Sequence, residues 1–133
     1  FLPGLTAPVC APHLGRPGTV SEMLDAGLLH DTDASGWRAW FDATGEPEVA
    51  VAAGPVFEDF NLLRAAVLAG QGVALCALAI IADDLREERL VQLSDRLIRA
   101  EYGYYIVTRR TPEEPSGAVG RFRAWLLSTA PRP

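Results

Sequence analysis

The chain has 133 residues and a mass of 14.3 kDa, which leaves room for one modest core and argues against a two-domain enzyme. Hydrophobic residues make up 49% of it and charged residues 22%, a balance that predicts a folded globular protein and excludes a disordered tail. The formal net charge is −5 and all 12 basic residues are arginine, so the generic basic face of a nucleic-acid-binding domain is missing. Any contact with DNA therefore falls to another part of the molecule.

The sequence also indicates where the protein resides. Its longest apolar run, 73–82, is about half of the roughly 20 residues that a membrane helix needs, so we expect no membrane partner. The chain begins at Phe1 without a Met, a charged segment or a signal-cleavage site, which is typical of neither a translation start nor a signal peptide and suggests a piece of a longer protein. Cys10 and Cys76 are too few for a disulfide framework, and their apolar neighbours predict buried thiols in a reducing, cytoplasmic compartment.

Short apolar runs alternate with helical patterns along the chain. This alternation is typical of an α/β protein with a mostly parallel, mixed sheet that is flanked by helices. The predicted strands cover residues 5–10, 28–30, 49–57, 72–76, 90–93 and 102–108. The run at 72–76 is apolar throughout, which indicates a strand buried on both faces.

The predicted helices lie between these strands and carry recognisable start signals. Thr19 and Glu22 have the spacing of a capping box, and Asp59 is a good N-cap for a later helix. The remaining helices are predicted to begin near Ser35, Ala79 and Ser116. The glycines of the segment 70–72 follow a helix and precede a strand, the reverse of the order in a phosphate-binding loop, so we predict a tight turn there.

Most of these helices are predicted to bury one face. In the helix after Ser35 three aromatic residues lie on one side, namely Trp37, Trp40 and Phe41. Aromatic residues at helical spacing belong to the core more often than they form a stacking platform for a ligand, so we predict that these are core. The helix capped by Asp59 has an apolar stripe formed by Leu62, Leu63, Ala66 and Val67. The acids Asp83 and Asp84 are expected on the solvent side of the next helix. The final helix has an apolar face that must pack against another surface. This face consists of Val119, Phe122, Trp125 and Leu126.

Two arrangements of polar residues could carry chemistry. Cys10 and His13 stand three positions apart after a strand, as in an activated thiol nucleophile, but no orienting acid is near them. The alternative is a buried thiol beside a loop histidine. His13 and His30 lack the usual metal-ligand spacings and give no coherent shell with Asp31 and Asp33, so we predict no metal and no other cofactor.

An ordered series of motifs is more specific for a protein family than these separate patterns are. Its members are PVCAP at 8–12, LLH at 28–30, WRAW at 37–40, GPVF at 54–57, AAVLAGQGVAL at 65–75, DDL at 83–85, RLV at 89–91, YYIV at 104–107 and FRAWL at 122–126. In this order and spacing they resemble the C-terminal half of the effector-binding domain of LysR-type transcriptional regulators. The resemblance is closest to the branch of the glycine-cleavage activators and β-lactamase regulators, and it covers nearly the whole chain.

The resemblance implies a fold similar to the type 2 periplasmic binding proteins. In that fold two α/β subdomains, joined by two crossover strands, hold a small effector in the cleft between them. Residues 1–100 would form the second subdomain. Residues 101–133 would supply the return crossover strand and the terminal helix, which belong to the first subdomain. The family's N-terminal winged helix-turn-helix and most of the first subdomain would lie outside this chain.

The candidate effector site follows from a general rule and from the resemblance. Ligands of open α/β sheets bind at the carboxyl ends of the strands, which here selects the loops around His13, His30, Asp31, residues 57–60 and residues 77–78. The resemblance implies that Asp59 and Phe60 stand where relatives carry hydroxyl residues, and that Tyr104 stands where a tyrosine can reach the ligand. The candidate effector-binding residues are therefore His13, His30, Asp31, Phe57, Asp59, Phe60 and Tyr104.

The departure at positions 59 and 60 affects the expected ligand. An acid and an aromatic ring suit an anionic effector less well than a pair of hydroxyl groups. Asp59 can equally serve only as a helix cap.

Together these features predict a fragment of a cytoplasmic transcription regulator that senses an effector and is not an enzyme. Its partners would be a small-molecule effector, further copies of itself in a homodimer or a full-length homotetramer, and DNA only through the separate N-terminal domain. Two alternatives stay open. One is a solute-binding module of a transport system, which shares the fold, and the other is a small α/β enzyme that uses Cys10 and His13.

Overall fold

A computed structural model describes residues 1–109 and 114–130 of the chain. Its strands are β1 (Leu2–Pro3), β2 (Thr6–Cys10), β3 (Leu28–Asp31), β4 (Val56–Phe57), β5 (Val73–Ala77), β6 (Val91–Gln92) and β7 (Gly103–Tyr104). Its α-helices are α1 (Val20–Ala26), α2 (Ser35–Ala43), α3 (Phe60–Leu68), α4 (Ala82–Arg86) and α5 (Ala118–Thr129). A short 3-10 helix, Pro12–Leu14, follows β2.

The central sheet has five strands in the order β4-β3-β5-β2-β6. β3 pairs in parallel with β4 and β5, whereas β2 pairs antiparallel with β5 and β6. The predicted α/β class with a mixed sheet is confirmed. Because β2 runs against its neighbours, its carboxyl end lies at the opposite edge of the sheet from the carboxyl ends of β3, β4 and β5.

Two predicted strands are much shorter in the structure. Of residues 49–57 only β4 joins the sheet, and the carbonyl of Val49 instead accepts a hydrogen bond from the Arg38 guanidinium of α2. Of residues 102–108 only β7 is a strand, because its partner β1 has just two residues to pair with. Residues with high β-propensity form a ladder only where another strand lies beside them.

The predicted signals at helix ends are confirmed at α1 and α3 but not at α5. The Glu22 N–H donates to Oγ1 of Thr19 over 3.2 Å, and the Thr19 N–H donates back to the Glu22 carboxylate over 3.1 Å, which completes a capping box. Gly70 follows α3 with a φ of 75°, in the left-handed region that favours glycine, and so forms the predicted turn. α5 starts after Gly117, and Ser116 does not cap it.

Two hydrophobic clusters hold the fold together, one on each face of the sheet. Successive strand residues point to opposite faces, and Leu28 and Leu29 accordingly belong to different clusters. One cluster contains Leu63 and its buried neighbours on α3. The other contains the aromatic residues of α2, where the Trp37 indole N–H donates to the Leu29 carbonyl over 2.9 Å. The prediction that these aromatics are core is confirmed, and both cysteines are buried free thiols as expected.

Two side chains lie elsewhere than their patterns predict. Leu62 is 60% exposed, because the sheet covers only the side of α3 that carries its neighbour Leu63. Asp84 is buried, because Arg64 and Arg89 both bind its carboxylate. Both predictions were wrong for the same reason: periodicity within a helix does not show which side a distant segment will cover.

The apolar face of α5 is uncovered among the described residues. Val119, Phe122 and Trp125 are 57%, 58% and 57% exposed. The rings of Phe122 and Trp125 stack on each other with centroids 5.8 Å apart. An apolar face of this kind is typical of a surface that packs against another part of a larger assembly. No helix within the described residues is long and apolar enough to span a bilayer.

The N-cap of α3 leads to a stability prediction. The Asp59 carboxylate accepts hydrogen bonds from the backbone N–H groups of Asn61 and Leu62, over 2.7 and 3.3 Å. Asp59→Ala removes both, so we expect the free energy of unfolding in urea to fall by about 1 kcal/mol. Asp59→Asn is the matched control, because its amide oxygen accepts the same bonds. An equal loss in both variants would rule out the capping role.

Candidate functional site

One edge of the sheet brings several chain segments together. β3, β4 and β5 end there at Asp31, Phe57 and Ala77, and α3 begins shortly after β4. β2 reaches the same edge with its amino end, because Thr6 pairs with Ala77. Thr6 also exchanges two backbone hydrogen bonds with Ile98, which brings the segment before β7 across this edge. We call it the carboxyl edge.

Two grooves open at the carboxyl edge. The first has a volume of about 390 Å³ and is lined by Thr6, Ala77, Arg99, Tyr102 and Tyr104, among others. The second has a volume of about 580 Å³ and lies between α2 and residues 97–102. Since Arg99 and Tyr102 line both grooves, they form the wall between them.

Five of the predicted effector-binding residues lie at the carboxyl edge, and the four that come from β3, β4 and α3 line neither groove. Asp31 is exposed at the end of β3, where its carboxylate accepts a long hydrogen bond of 3.4 Å from the Thr32 hydroxyl. Phe57 and Phe60 are half-buried and pack on the cluster beneath α3. The Asp59 carboxylate caps α3, which agrees with the alternative reading of this residue.

His30 lies beneath the edge and not in either groove. It is 2% exposed, and its Nε2 lies 2.9 Å from the carbonyl oxygen of Ala52. Its Nδ1 is buried without a hydrogen-bond partner among the described residues. The His30 imidazole therefore links β3 to the loop that precedes β4.

His13 lies at the other edge of the sheet. Its imidazole occupies the space where a β-carbon on Gly70 would stand, near the amino end of β5. His13 follows the carboxyl end of β2, and β2 is antiparallel to β5. His13 is therefore separated from the other predicted effector-binding residues, which lie at or beneath the carboxyl ends of β3, β4 and β5. Apolar periodicity predicts a strand but not its direction.

Tyr104 and Arg99 complete the first groove. Tyr104 is 50% exposed and is placed there by the pairing of β7 with β1. Arg99 was missed by the sequence analysis. It directly follows Ile98 and has a φ of 60°. Its position depends on the contact between Ile98 and Thr6, which are far apart in the sequence, so no local pattern reveals it.

The candidate nucleophile Cys10 is not in a reactive environment. It is fully buried, its Sγ lies 3.9 Å from the Gly15 carbonyl oxygen, and burial raises the pKa of the thiol. Burial likewise raises the pKa of Cys76 to about 12. A thiol that stays protonated is a poor nucleophile. Within residues 1–109 and 114–130, no group of three His, Cys, Asp or Glu side chains is placed to hold a metal ion.

Grooves at the carboxyl ends of parallel strands are typical of α/β domains that bind small molecules. Comparison with known proteins gives the family. The family model of the LysR substrate binding domain matches residues 6–131. The glycine cleavage system transcriptional activator of Escherichia coli K12 is 28% identical over 127 residues, which cover 92% of this chain and 41% of that protein. The HTH-type transcriptional activator AmpR of Pseudomonas aeruginosa is 31% identical over 127 residues, covering 95% of this chain and 41% of that protein.

Solved structures show the same architecture. The effector domain of AmpR from Pseudomonas aeruginosa has a TM-score of 0.73 at 27% identity and covers 96% of this chain and 61% of that one. The AmpR effector binding domain from Citrobacter freundii has a TM-score of 0.71 at 25% identity, covering 96% of this chain and 64% of that one. The chain therefore belongs to the LysR substrate binding domain family, and it spans about two fifths of the length of the curated relatives named above.

Proposed function

We propose that this chain is the effector-sensing part of a LysR-type transcriptional regulator, and that the effector binds at the carboxyl edge. The observation that carries the proposal is the pair of grooves there, which share Arg99 and Tyr102, and the first of which is lined by Ala77 at the end of β5. Open α/β sheets bind their ligands at this position. The family and the activators among its relatives support a regulator over a transport protein.

The proposed effector contacts are Asp31, Phe57, Asp59, Phe60 and Tyr104. They come from three separate parts of the chain that meet at one edge. Tyr104 lines the first groove, whereas the other four line neither groove. His30 would act indirectly, by holding the connection before β4 in place. His13 is left out of the proposed set because it lies at the opposite edge.

We further propose that residues 1–100 form one subdomain and that residues 101–133 return to the other. Two observations support this division: β7 pairs with β1 outside the central sheet, and the apolar face of α5 is uncovered. In the full-length protein that face would pack on the first subdomain, and the effector would bind between the two. DNA would be bound by a separate N-terminal domain of a cytoplasmic homodimer or homotetramer.

Control of DNA binding would follow from the geometry of the cleft between the subdomains. An effector that binds one cleft geometry more tightly shifts the population toward it, by no more than its difference in affinity for the two states. That change would alter how the DNA-binding domains of the oligomer are placed. No catalytic step is required, and the buried Cys10 thiol with its raised pKa supports a role without one.

Tyr104→Phe tests whether the effector binds at the carboxyl edge. A compound that stabilises the full-length protein in a thermal-shift screen is titrated by calorimetry against the variant. We expect about 2- to 10-fold weaker binding, the usual effect of losing one neutral hydrogen bond. The matched control is Tyr105→Phe, whose ring is 73% exposed and lines neither groove. Equal affinities for Tyr104→Phe, Tyr105→Phe and the unmodified protein would count against a site at this edge.

A further inference from the structure

We propose that Arg99 makes the carboxyl edge selective for effectors that carry an anionic group, either a carboxylate or a phosphate. The inference rests on the proposed function and adds the chemical class of the ligand. Arg99 lies in the wall between the two grooves, where its guanidinium can meet a ligand.

Arg99 has no carboxylate within 4.0 Å among the described residues. Four other arginines do have such a partner, namely Arg38, Arg64, Arg86 and Arg89. Glu101 also lines the second groove but does not pair with Arg99. The donors of the Arg99 guanidinium are therefore available to a ligand in either groove.

Two of the acidic side chains near the edge accept hydrogen bonds from backbone groups. The Asp33 carboxylate accepts from the Ser35 N–H over 2.8 Å, and Asp59 caps α3. Neither of these carboxylates pairs with Arg99. Within residues 1–109 and 114–130, a bound anion would therefore meet a guanidinium that no carboxylate contacts.

The backbone around Arg99 is held in a defined place. Ile98 exchanges two hydrogen bonds of 3.0 Å with Thr6, and the Arg99 carbonyl accepts from the Tyr102 N–H over 3.1 Å. Its Nη2 lies 3.4 Å from where a β-carbon on Gly36 would stand, so the guanidinium sits over the first turn of α2. The positive end of a helix favours a negative charge at the same point.

The geometry of the guanidinium fits the proposed ligand class. Its planar fork can donate two parallel hydrogen bonds to a carboxylate or a phosphate. Tyr104 lies in the same groove and offers a hydroxyl group that can donate or accept beside it. Together they can orient an anionic group at the end of β5.

Two matched series of compounds test the inference on the full-length protein. One pairs N-acetyl amino acids with their primary amides, and the other pairs sugar phosphates with the parent sugars. We expect binding by charged members of one series or both, and about 10- to 100-fold weaker binding of those members to Arg99→Gln. We expect Arg99→Lys to retain part of the affinity. Arg96→Gln is the matched control, because it removes the same charge from the same segment outside both grooves.

The outcomes separate this inference from the proposed function. Equal binding of neutral and charged members, equal weakening by Arg96→Gln and Arg99→Gln, or no binding in either series would each overturn the role of Arg99. Neutral compounds that alter DNA binding would support the proposed function and reject this inference. Charged compounds that bind through Arg99 without altering DNA binding would support the role of Arg99 and reject the proposed sensing function. The responding series shows whether the site takes carboxylates or phosphates.

Discussion

Asp84→Ala is expected to lower the free energy of unfolding by about 3 kcal/mol. The carboxylate is buried, with Nε of Arg64 at 2.6 Å and Nη2 of Arg89 at 2.8 Å. Its removal leaves two like charges facing each other, and α4 loses its ionic connections to α3 and to Arg89 in the segment that follows it. The expected loss is at the lower end for broken buried pairs, because the side chains of Arg64 and Arg89 are 37% and 46% exposed and water screens them.

Asp83→Ala is the matched control for this loss. Asp83 precedes Asp84 on the same helix and pairs with Arg86 over 2.7 Å, but both side chains are largely exposed, at 72% and 69%. Exposed pairs contribute at most about 1 kcal/mol. Urea unfolding of the two variants under the same conditions measures the difference, and equal losses would show that burial of Asp84 is unimportant.

The same carboxylate makes stability depend on pH. Its hydrogen bond from Arg64, and then the one from Arg89, lowers the pKa of Asp84 below its ordinary value of 3.8. Because the unfolded chain takes up the proton more readily, this stabilisation is present above about pH 4 and is lost as the pH falls below it. The unmodified protein should therefore lose more stability between about pH 6 and about pH 3 than Asp84→Asn does.

Leu63→Ala is expected to cost about 3 kcal/mol, because the Leu63 side chain is fully buried between α3 and the sheet. The large effect combines the lost burial of the side chain with the cavity that remains. Leu62→Ala makes the same chemical change at the next position, where the side chain is 60% exposed. We expect it to alter stability by no more than about 0.5 kcal/mol. Denaturant midpoints compare the two, and a larger loss for Leu62→Ala would mean that α3 is rotated relative to the structure.

Local features of the fold were predictable from the sequence because their causes lie close together in the chain. The capping box of Thr19 and Glu22, the cap at Asp59 and the turn at Gly70 all act within one helical turn. The aromatic face of α2 was predicted as core for a similar reason, since Trp37, Trp40 and Phe41 are only three and four positions apart. The ordered motifs also predicted the family.

Features that depend on distant segments were not predictable in the same way. The direction of β2 places His13 at one edge and the other candidates at or beneath the opposite edge. The burial of Asp84 depends on Arg64 from a different helix, and the position of Arg99 depends on Thr6. Residue type and periodicity do not report such pairings. The effector-binding roles of Asp31, Phe57, Asp59, Phe60 and Tyr104 stay predictions.

Control of DNA binding by an effector is tested most directly by a DNA-binding titration of the full-length protein. The DNA consists of genomic fragments that the protein itself selects, and the compound is one that binds it in calorimetry. We predict that saturation with the compound changes the affinity for these fragments or the length of DNA protected. We also predict that Tyr104→Phe moves the midpoint of this response to higher concentration, whereas Tyr105→Phe does not. Unchanged affinity and protection at full occupancy would contradict the proposed sensing function.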